Sequence, residues 1–321
     1  MAVKTRTPLL AVFVIFAAAL AGCAAPQGAT DADPAAIAKP KVVLAIQPTD
    51  NAARIQDSAT ELEMFLEDRV AADFEIIVPL SNAGVVEALR FGHADVALMG
   101  AWPMALAASK ADARVVLAEM REVTIGEQAV VAPYYFSYYV VLDDDPVKDL
   151  EDLRGKTVAY TSATSTSGYV YPVARLVELG LVPRPEAGKE ADPEAFFGNA
   201  LLAGGYSQAW EALKNGQVDV AVIAGDVKVS LYQEVLASTH VVEKQGPVPS
   251  HGVVFARDFD GVLAEETKTA LLELKGDHRA LMRDLVSGLF VEFEETTTEE
   301  HTGPLAEALG LVGFRFSEKI G

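Results

Sequence analysis

The sequence predicts an α/β protein of two similarly built lobes, each formed around a doubly wound sheet. Three observations carry that expectation. Short β-branched runs alternate with amphipathic stretches at close spacing, which is the pattern of strands joined by crossover helices. One unit recurs, as "EALRFGHADVALMG" (residues 87–100) and "EALKNGQVDVAVIAG" (residues 211–225). Two further stretches, around Tyr134–Leu142 and around Pro247, read as passages from one half of the chain to the other.

The elements follow in order. "KVVLAI" (residues 41–46) is a short apolar run that ends at Gln47 and Pro48, a strand entering a ligand-side loop. Residues 57–71 have helical periodicity, with Leu62, Phe65, Leu66 and Val70 on one face. "FEIIVPL", "NAGVVEALRFG" and "ADVALMG" then give strand, helix and strand. The aromatic run Tyr134–Leu142 predicts a crossing strand, "DDPVKDLEDLRGK" a turn and short helix, and "TVAY" the first strand of the second lobe. "GYVYPVARLVELG" is a helix, with Pro172 tolerated if it lies in the first turn. A helix near Val227–Leu236 precedes "HVVEKQGPVPSHGVVFARDF", a strand, a Pro/Gly-bearing crossover and another strand. Two helical patterns, 264–274 and 278–290, and a less regular end complete the chain. The expected organisation is lobe one at 41–136 and 247–321 and lobe two at 137–246, with two crossings that make a hinge.

The first residues read as an address. Lys4 and Arg6 precede an uncharged run from Leu9 to Leu20, too short for a comfortable membrane span. The tetrad "LAGC" ends at Cys23, the one cysteine in the chain. It resembles a bacterial lipobox, which implies an export signal over 1–22 and a lipid on Cys23. An ordinary secretory signal that happens to contain a cysteine is the plainer alternative. Residues 23–40, rich in Ala, Pro and Asp, read as a flexible tether.

The formal net charge is −20, and loss of Lys4 and Arg6 with the signal makes it more negative still. Such a surface repels nucleic acid and offers no basic face to anionic lipid. Membrane attachment is therefore expected through the N-terminal lipid alone. Any anionic ligand must be recognised locally, against the general field.

A candidate for such recognition is "TSATSTSG" (residues 161–168), where hydroxyl side chains are interrupted only by Ala163 before Gly168 and a helix follows. A helix start carries unpaired N–H groups and about half a positive charge. Ser165, Thr166 and Ser167 can point hydroxyls and amides at a common acceptor, and Gly168 lets that acceptor approach the backbone. Four or five hydrogen bonds of about 1.5–3 kcal/mol each would reach micromolar affinity without a lysine or arginine. The alternative is one N-capping hydroxyl with the others solvated.

"LEDLRGKTVAYTSATSTSGYVYPVARLVELG" resembles the signature region of the phosphate/phosphite/phosphonate-binding proteins of ABC importers, the PhnD-like family. The resemblance extends over most of the mature chain, including "VVEALRFGHADVALMG", "ALKNGQVDVAV" and "GPVPSHGVVFARDF". It implies a two-lobe periplasmic-binding-protein fold of type II, ligand in the interlobe cleft, and a monomer that delivers its load to a permease and ATPase. It also implies that Ser165, Thr166 and Ser167 ligate the oxyanion.

Other positions depart from the family. Asn82 and Trp102 stand near places where tyrosines are common; Asn82 has an amide to donate, and Trp102 is either an aromatic wall or a packed core residue. Tyr206 and Ser207, in "GGYSQAWEAL", replace a histidine and an acid that accepts a proton from the oxyanion or binds an ammonium. Aminoethylphosphonate is accordingly a poorer fit than phosphate, phosphite or a small alkyl phosphonate. Asp226 either supplies the lost acceptor or is an exposed helix-starting residue.

No Gly-x-Ser-x-Gly elbow, His-Glu-x-x-His or P-loop motif occurs, and the five histidines are scattered singly. The reading is a binding protein with no cofactor and no metal, rather than an enzyme. His251 alone lies near a crossover. A lipid-anchored sensory module of the same fold, or a receptor for another small anion or organic solute, remains the alternative.

Overall fold

In each half of the molecule one aspartate at the mouth of a strand fixes the register of the strand beside it. The Val43 N–H donates to Asp95 Oδ2 at 2.9 Å, while Asp95 N–H donates back to the Val43 carbonyl at 2.9 Å. The Thr157 N–H donates to Asp219 Oδ2 at 2.8 Å, and Asp219 N–H to the Thr157 carbonyl at 2.9 Å. These are the aspartates of the repeated sequence unit. The glycines of that unit, Gly92 and Gly216, have φ of 71° and 67°, the left-handed turn that ends the helix before each strand.

The computed structural model describes residues 39–48, 52–125, 128–225, 227 and 229–313. The first part of the chain runs β1 (Lys41–Ile46), α1 (Ala52–Glu67), β2 (Asp73–Ile77), α2 (Asn82–Arg90), β3 (Val96–Met99), α3 (Ala101–Ala111), β4 (Arg114–Ile125) and β5 (Gln128–Ala132). Next come β6 (Tyr134–Leu142), β7 (Thr157–Tyr160), α4 (Tyr171–Glu178), β8 (Asn199–Leu202), α5 (Tyr206–Lys214), β9 (Val220–Ala224), α6 (Val229–Ser238) and β10 (Thr239–Pro249). The chain closes with β11 (Gly252–Phe255), α7 (Gly261–Leu272), α8 (Arg279–Leu285), β12 (Phe290–Glu295) and α9 (Thr298–Val312).

One sheet has the order β12-β4-β11-β3-β1-β2, with β5 paired to β4; the other is β10-β6-β9-β7-β8. Each contains a parallel trio, β2-β1-β3 or β8-β7-β9, extended by an antiparallel strand on the third member. The sheets are thus mixed rather than wholly parallel. The inner strands β3 and β9 are buried along their whole length, as expected where both faces are covered. The chain changes sheet between Ala132 and Tyr134 and returns between Pro249 and Gly252.

Other sequence expectations change; the helical pattern at 278–290 is helix α8 over Arg279–Leu285 alone, with Phe290 opening β12. The short helix before β7 is a 3-10 turn, Leu150–Leu153, capped by Asp149. The "less regular end" is strand β12 followed by the fifteen-residue helix α9. Gly303, Pro304 and Gly310 read as helix breakers, yet α9 packs on α3, α4, β4 and β10, and this tertiary burial outweighs weak local propensity. The expected export signal, Cys23, the tether up to Ala38 and Asp226 lie outside the described residues.

Candidate anion-binding site

Strand β7, almost wholly buried, delivers the chain to Thr161 and the hydroxyl loop. Ser165 has extended φ/ψ of −85° and 126°, and its Oγ accepts the Gly168 N–H at 3.0 Å. It is the N-cap of a π-turn, Thr166–Val170, in which Val170 N–H reaches the Ser165 carbonyl at 3.1 Å. Helix α4 continues from there with Pro172 in its first turn, where no N–H is needed. The wide turn carries Thr166 and Ser167 inward, leaving them 5% and 1% exposed, so they are not solvated loop polars. Gly168 is required by packing: a Cβ there would lie 2.0 Å from Thr161 Oγ1 and 2.8 Å from Ser165 Oγ.

The two buried hydroxyls reach different elements. Thr166 Oγ1 accepts the main-chain N–H of Trp102 at 2.9 Å. Trp102 lies in the first turn of α3, whose N-cap, Gly100, has no side chain to offer, so the cap comes from the opposite sheet. The Gly100 N–H donates to Gln47 Oε1 at 2.7 Å, Gln47 being the residue that follows β1. Ser167 Oγ lies 2.8 Å from the Tyr135 hydroxyl, on β6, and 2.7 Å from that of Tyr206, which opens α5. A serine has one proton to give, so at least one phenol donates to it.

Beneath Tyr135 lies a buried charge cluster. The Arg121 guanidinium sits 4.4 Å from the centre of the Tyr135 ring, and its Nη2 donates to Glu119 Oε2 at 2.6 Å; both β4 side chains are fully buried. His251, between β10 and β11, abuts the same Arg121 nitrogen and lies 3.2 Å from Glu119 Oε2 through Nδ1. Its Nε2 is 2.9 Å from Gln47 Nε2. Because the Gly100 N–H takes the amide oxygen, Gln47 offers its NH₂ to His251 Nε2. Burial would raise the Glu119 carboxyl, but attraction to Arg121 and hydrogen bonds from His251 and Arg121 outweigh it and hold the group below its ordinary range.

The structure therefore gathers Ser165, Thr166, Ser167, Gly168, Tyr206 and the main chain of Trp102 at one place. The Trp102 ring is buried in the core of the first sheet. Asn82 is the half-buried first residue of α2, behind the N-cap Ser81, whose Oγ accepts the Gly84 N–H at 3.1 Å; Ser207 is exposed on α5. Gln47, Glu119, Arg121 and Tyr135 escaped the sequence reading. Gln47 had a signal, its place at the end of the first strand; the alternating charges of "AEMREV" instead resemble a solvent face.

Two sheets, each a parallel trio with antiparallel extension, and a buried polar junction between them define a two-lobe periplasmic binding protein. A family model for the periplasmic substrate-binding proteins of phosphonate ABC transporters matches residues 44–301, and the chain belongs to that family. Its members are exported binding components of transporters, not enzymes. A phosphate-import protein, PhnD, of Mycolicibacterium smegmatis is 31% identical over 179 residues, which is 56% of this chain; the match spans about half, 53%, of that relative. Among solved structures, the binding component of a Pseudomonas aeruginosa phosphonate transporter superposes with a TM-score of 0.66 at 17% identity, covering 84% of this chain and 85% of that one. A Prochlorococcus marinus PhnD protein in complex with methylphosphonate gives 0.66 at 13% identity, covering 84% and 97%.

Proposed function

We propose that this chain is the lipid-anchored receptor of an importer, holding phosphate, phosphite or a small phosphonate between lobes formed by 41–136 with 247–321 and by 137–246, and delivering it to a permease and ATPase. The observation that carries the reading is the 2.9 Å hydrogen bond from the Trp102 N–H to Thr166 Oγ1. It joins a helix start of one sheet to the hydroxyl turn of the other, so the positive end of a helix dipole and the hydroxyl turn meet at one place, where an oxyanion is stabilised. The ligand is held by Ser165, Thr166 and Ser167 with their turn amides, and by Tyr206. A receptor with net charge −20 gains from this arrangement because the donors act at contact distance while the general field is screened within about 10 Å. The Mycolicibacterium relative, named for phosphate import, and the methylphosphonate-bound Prochlorococcus neighbour support the ligand class. Tyr206 and Ser207 carry no charge to pair with an ammonium, which places aminoethylphosphonate last.

Calorimetric titration of the full chain in detergent with phosphate, phosphite, methylphosphonate, aminoethylphosphonate and sulfate tests the ligand class. Binding of at least one of the first three is expected; silence from all five at millimolar concentration overturns it. For the anchor, labelling of expressing cells with a radioactive fatty acid is expected to mark the wild type and not Cys23→Ala. Equal labelling of the two would remove Cys23 from the proposal.

A further inference from the structure

The hydroxyl turn commits most of its side-chain oxygens to the protein itself, and one hydroxyl stands apart from that pattern. Ser165 Oγ accepts the Gly168 N–H, Thr166 Oγ1 accepts the Trp102 N–H, and Ser167 Oγ lies between two phenols. Thr161, where β7 runs into the turn, is 4% exposed, yet its Oγ1 meets no hydrogen-bond partner among the described residues. We propose that the Thr161 hydroxyl is a further ligand of the oxyanion, donating its proton to one ligand oxygen. This inference rests on the oxyanion reading above and adds Thr161 to the site.

Thr161 directly follows β7, the middle strand of the trio β8-β7-β9, at the carboxyl end where ligands of doubly wound sheets bind. Its main chain is fixed there from both sides. The Thr161 N–H donates to the Gly168 carbonyl at 3.2 Å, and the Thr161 carbonyl accepts the Gly204 N–H at 2.8 Å. The side chain is thereby laid over Gly168. A Cβ on that glycine would fall 2.0 Å from Thr161 Oγ1 and 2.8 Å from Ser165 Oγ, so the two hydroxyl oxygens crowd the same face of the turn. From the sequence, Gly168 is the place where an acceptor comes near the backbone; in the folded chain an acceptor arriving there meets the Thr161 hydroxyl. Burying a hydroxyl without a partner is unfavourable, and a valine of nearly the same shape would strand no polar atom, so packing alone does not account for threonine here. Contact with an ionised oxygen reverses the penalty, because a charge-assisted hydrogen bond is stronger than a neutral one. Ser165 Oγ accepts a main-chain N–H and keeps its own proton to give, so the pair can donate to two oxygens of one tetrahedral ligand.

The experiment compares Thr161→Val, Thr161→Ala and Thr161→Ser with the wild type, as full chains in detergent. Calorimetry with phosphate, phosphite and methylphosphonate gives the affinities, and thermal melts without added ligand give the stabilities. Thr161→Val is expected to bind at least about fivefold more weakly while melting at or above the wild-type temperature, since it deletes a buried polar atom that has no partner. Thr161→Ala removes the same hydroxyl without adding bulk, so it reports the same loss of affinity should the valine fail to fold. Thr161→Ser, which restores a hydroxyl, is expected to recover most of that loss. Wild-type affinity in Thr161→Val or Thr161→Ala overturns the inference alone. So does a Thr161→Val protein that loses affinity and melting temperature together, because the hydroxyl would then be holding the turn rather than the ligand. No binding of any ligand by the wild type overturns the oxyanion reading, and the inference with it.

Discussion

The main-chain N–H of Trp102 and the side chain of Thr166 meet at 2.9 Å, so a hydroxyl from one sheet caps a helix of the other. Both residues are buried, and the capping oxygen cannot be replaced by solvent without opening the junction. Thr166→Val keeps the shape and removes the acceptor, leaving a buried N–H unsatisfied at about 1–3 kcal/mol. The expected outcome is a lower melting temperature and at least tenfold weaker oxyanion binding, with Thr166→Ser close to wild type in both. Thermal melts and calorimetry check it; a stable Thr166→Val variant of wild-type affinity would show that the bond is incidental.

Gly168 offers a separate handle. The space its missing Cβ would need is filled by Thr161 Oγ1 and Cγ2, at 2.0 and 2.8 Å. Gly168→Ala is expected to cost about 1–3 kcal/mol by overpacking. In a Thr161→Ala background the Thr161 contacts are removed while Ser165 Oγ at 2.8 Å remains, and the two changes together are expected to be less damaging than their separate costs imply. Chemical denaturation of the four proteins gives the coupling directly. Additive costs would mean that the glycine serves something other than this packing.

What the sequence made legible follows from the range of each signal. Strand β1 and the crossing strand β6 fall on the very residues read from their apolar runs, because both are bounded by clear turn residues. The hydroxyl turn was legible as well, since capping chemistry is local. Arg121 and Glu119 were not: their burial depends on a histidine some 130 positions later and an aromatic ring from another strand, which no local pattern encodes. Helix α9 was obscured for a similar reason. Its glycines and proline argue locally against a helix, and only contact with both halves of the fold overrides them.

The paired aspartates make the repeated unit testable. Asp95 is half-buried and Asp219 exposed, though each closes the same two-bond bracket on a neighbouring strand. Asp95→Ala is expected to destabilise by about 1–2 kcal/mol and Asp219→Ala by about 0.5–1 kcal/mol, as water more readily replaces the exposed acceptor. The Asn variants, which retain an oxygen, are expected to recover most of the loss. Urea denaturation decides this, and equal effects at the two sites would argue against burial as the cause.

His301 sets the behaviour toward acid. Its ring is buried on α9 with Nε2–H donating to the Ser250 carbonyl; burial lowers its pKa below the usual histidine value and so favours the neutral ring, the carbonyl opposing that shift only in part. A histidine depressed in the folded state is protonated more readily when unfolded, so its contribution is fully present above about pH 6.5 and is lost as pH falls through the folded value. Glu119, also depressed, adds a second loss that begins only near the ordinary carboxylate range, about pH 4.5. The melting temperature is therefore expected to begin to decline as pH falls below about 6.5 and to drop more steeply below about pH 4.5. His301→Gln keeps an N–H donor for Ser250 and removes the titrating group. It is expected to abolish the decline that begins below about pH 6.5 while leaving the step below about pH 4.5 in place, and calorimetric melts across that range separate the two. A variant that retained the upper decline would assign it to another group.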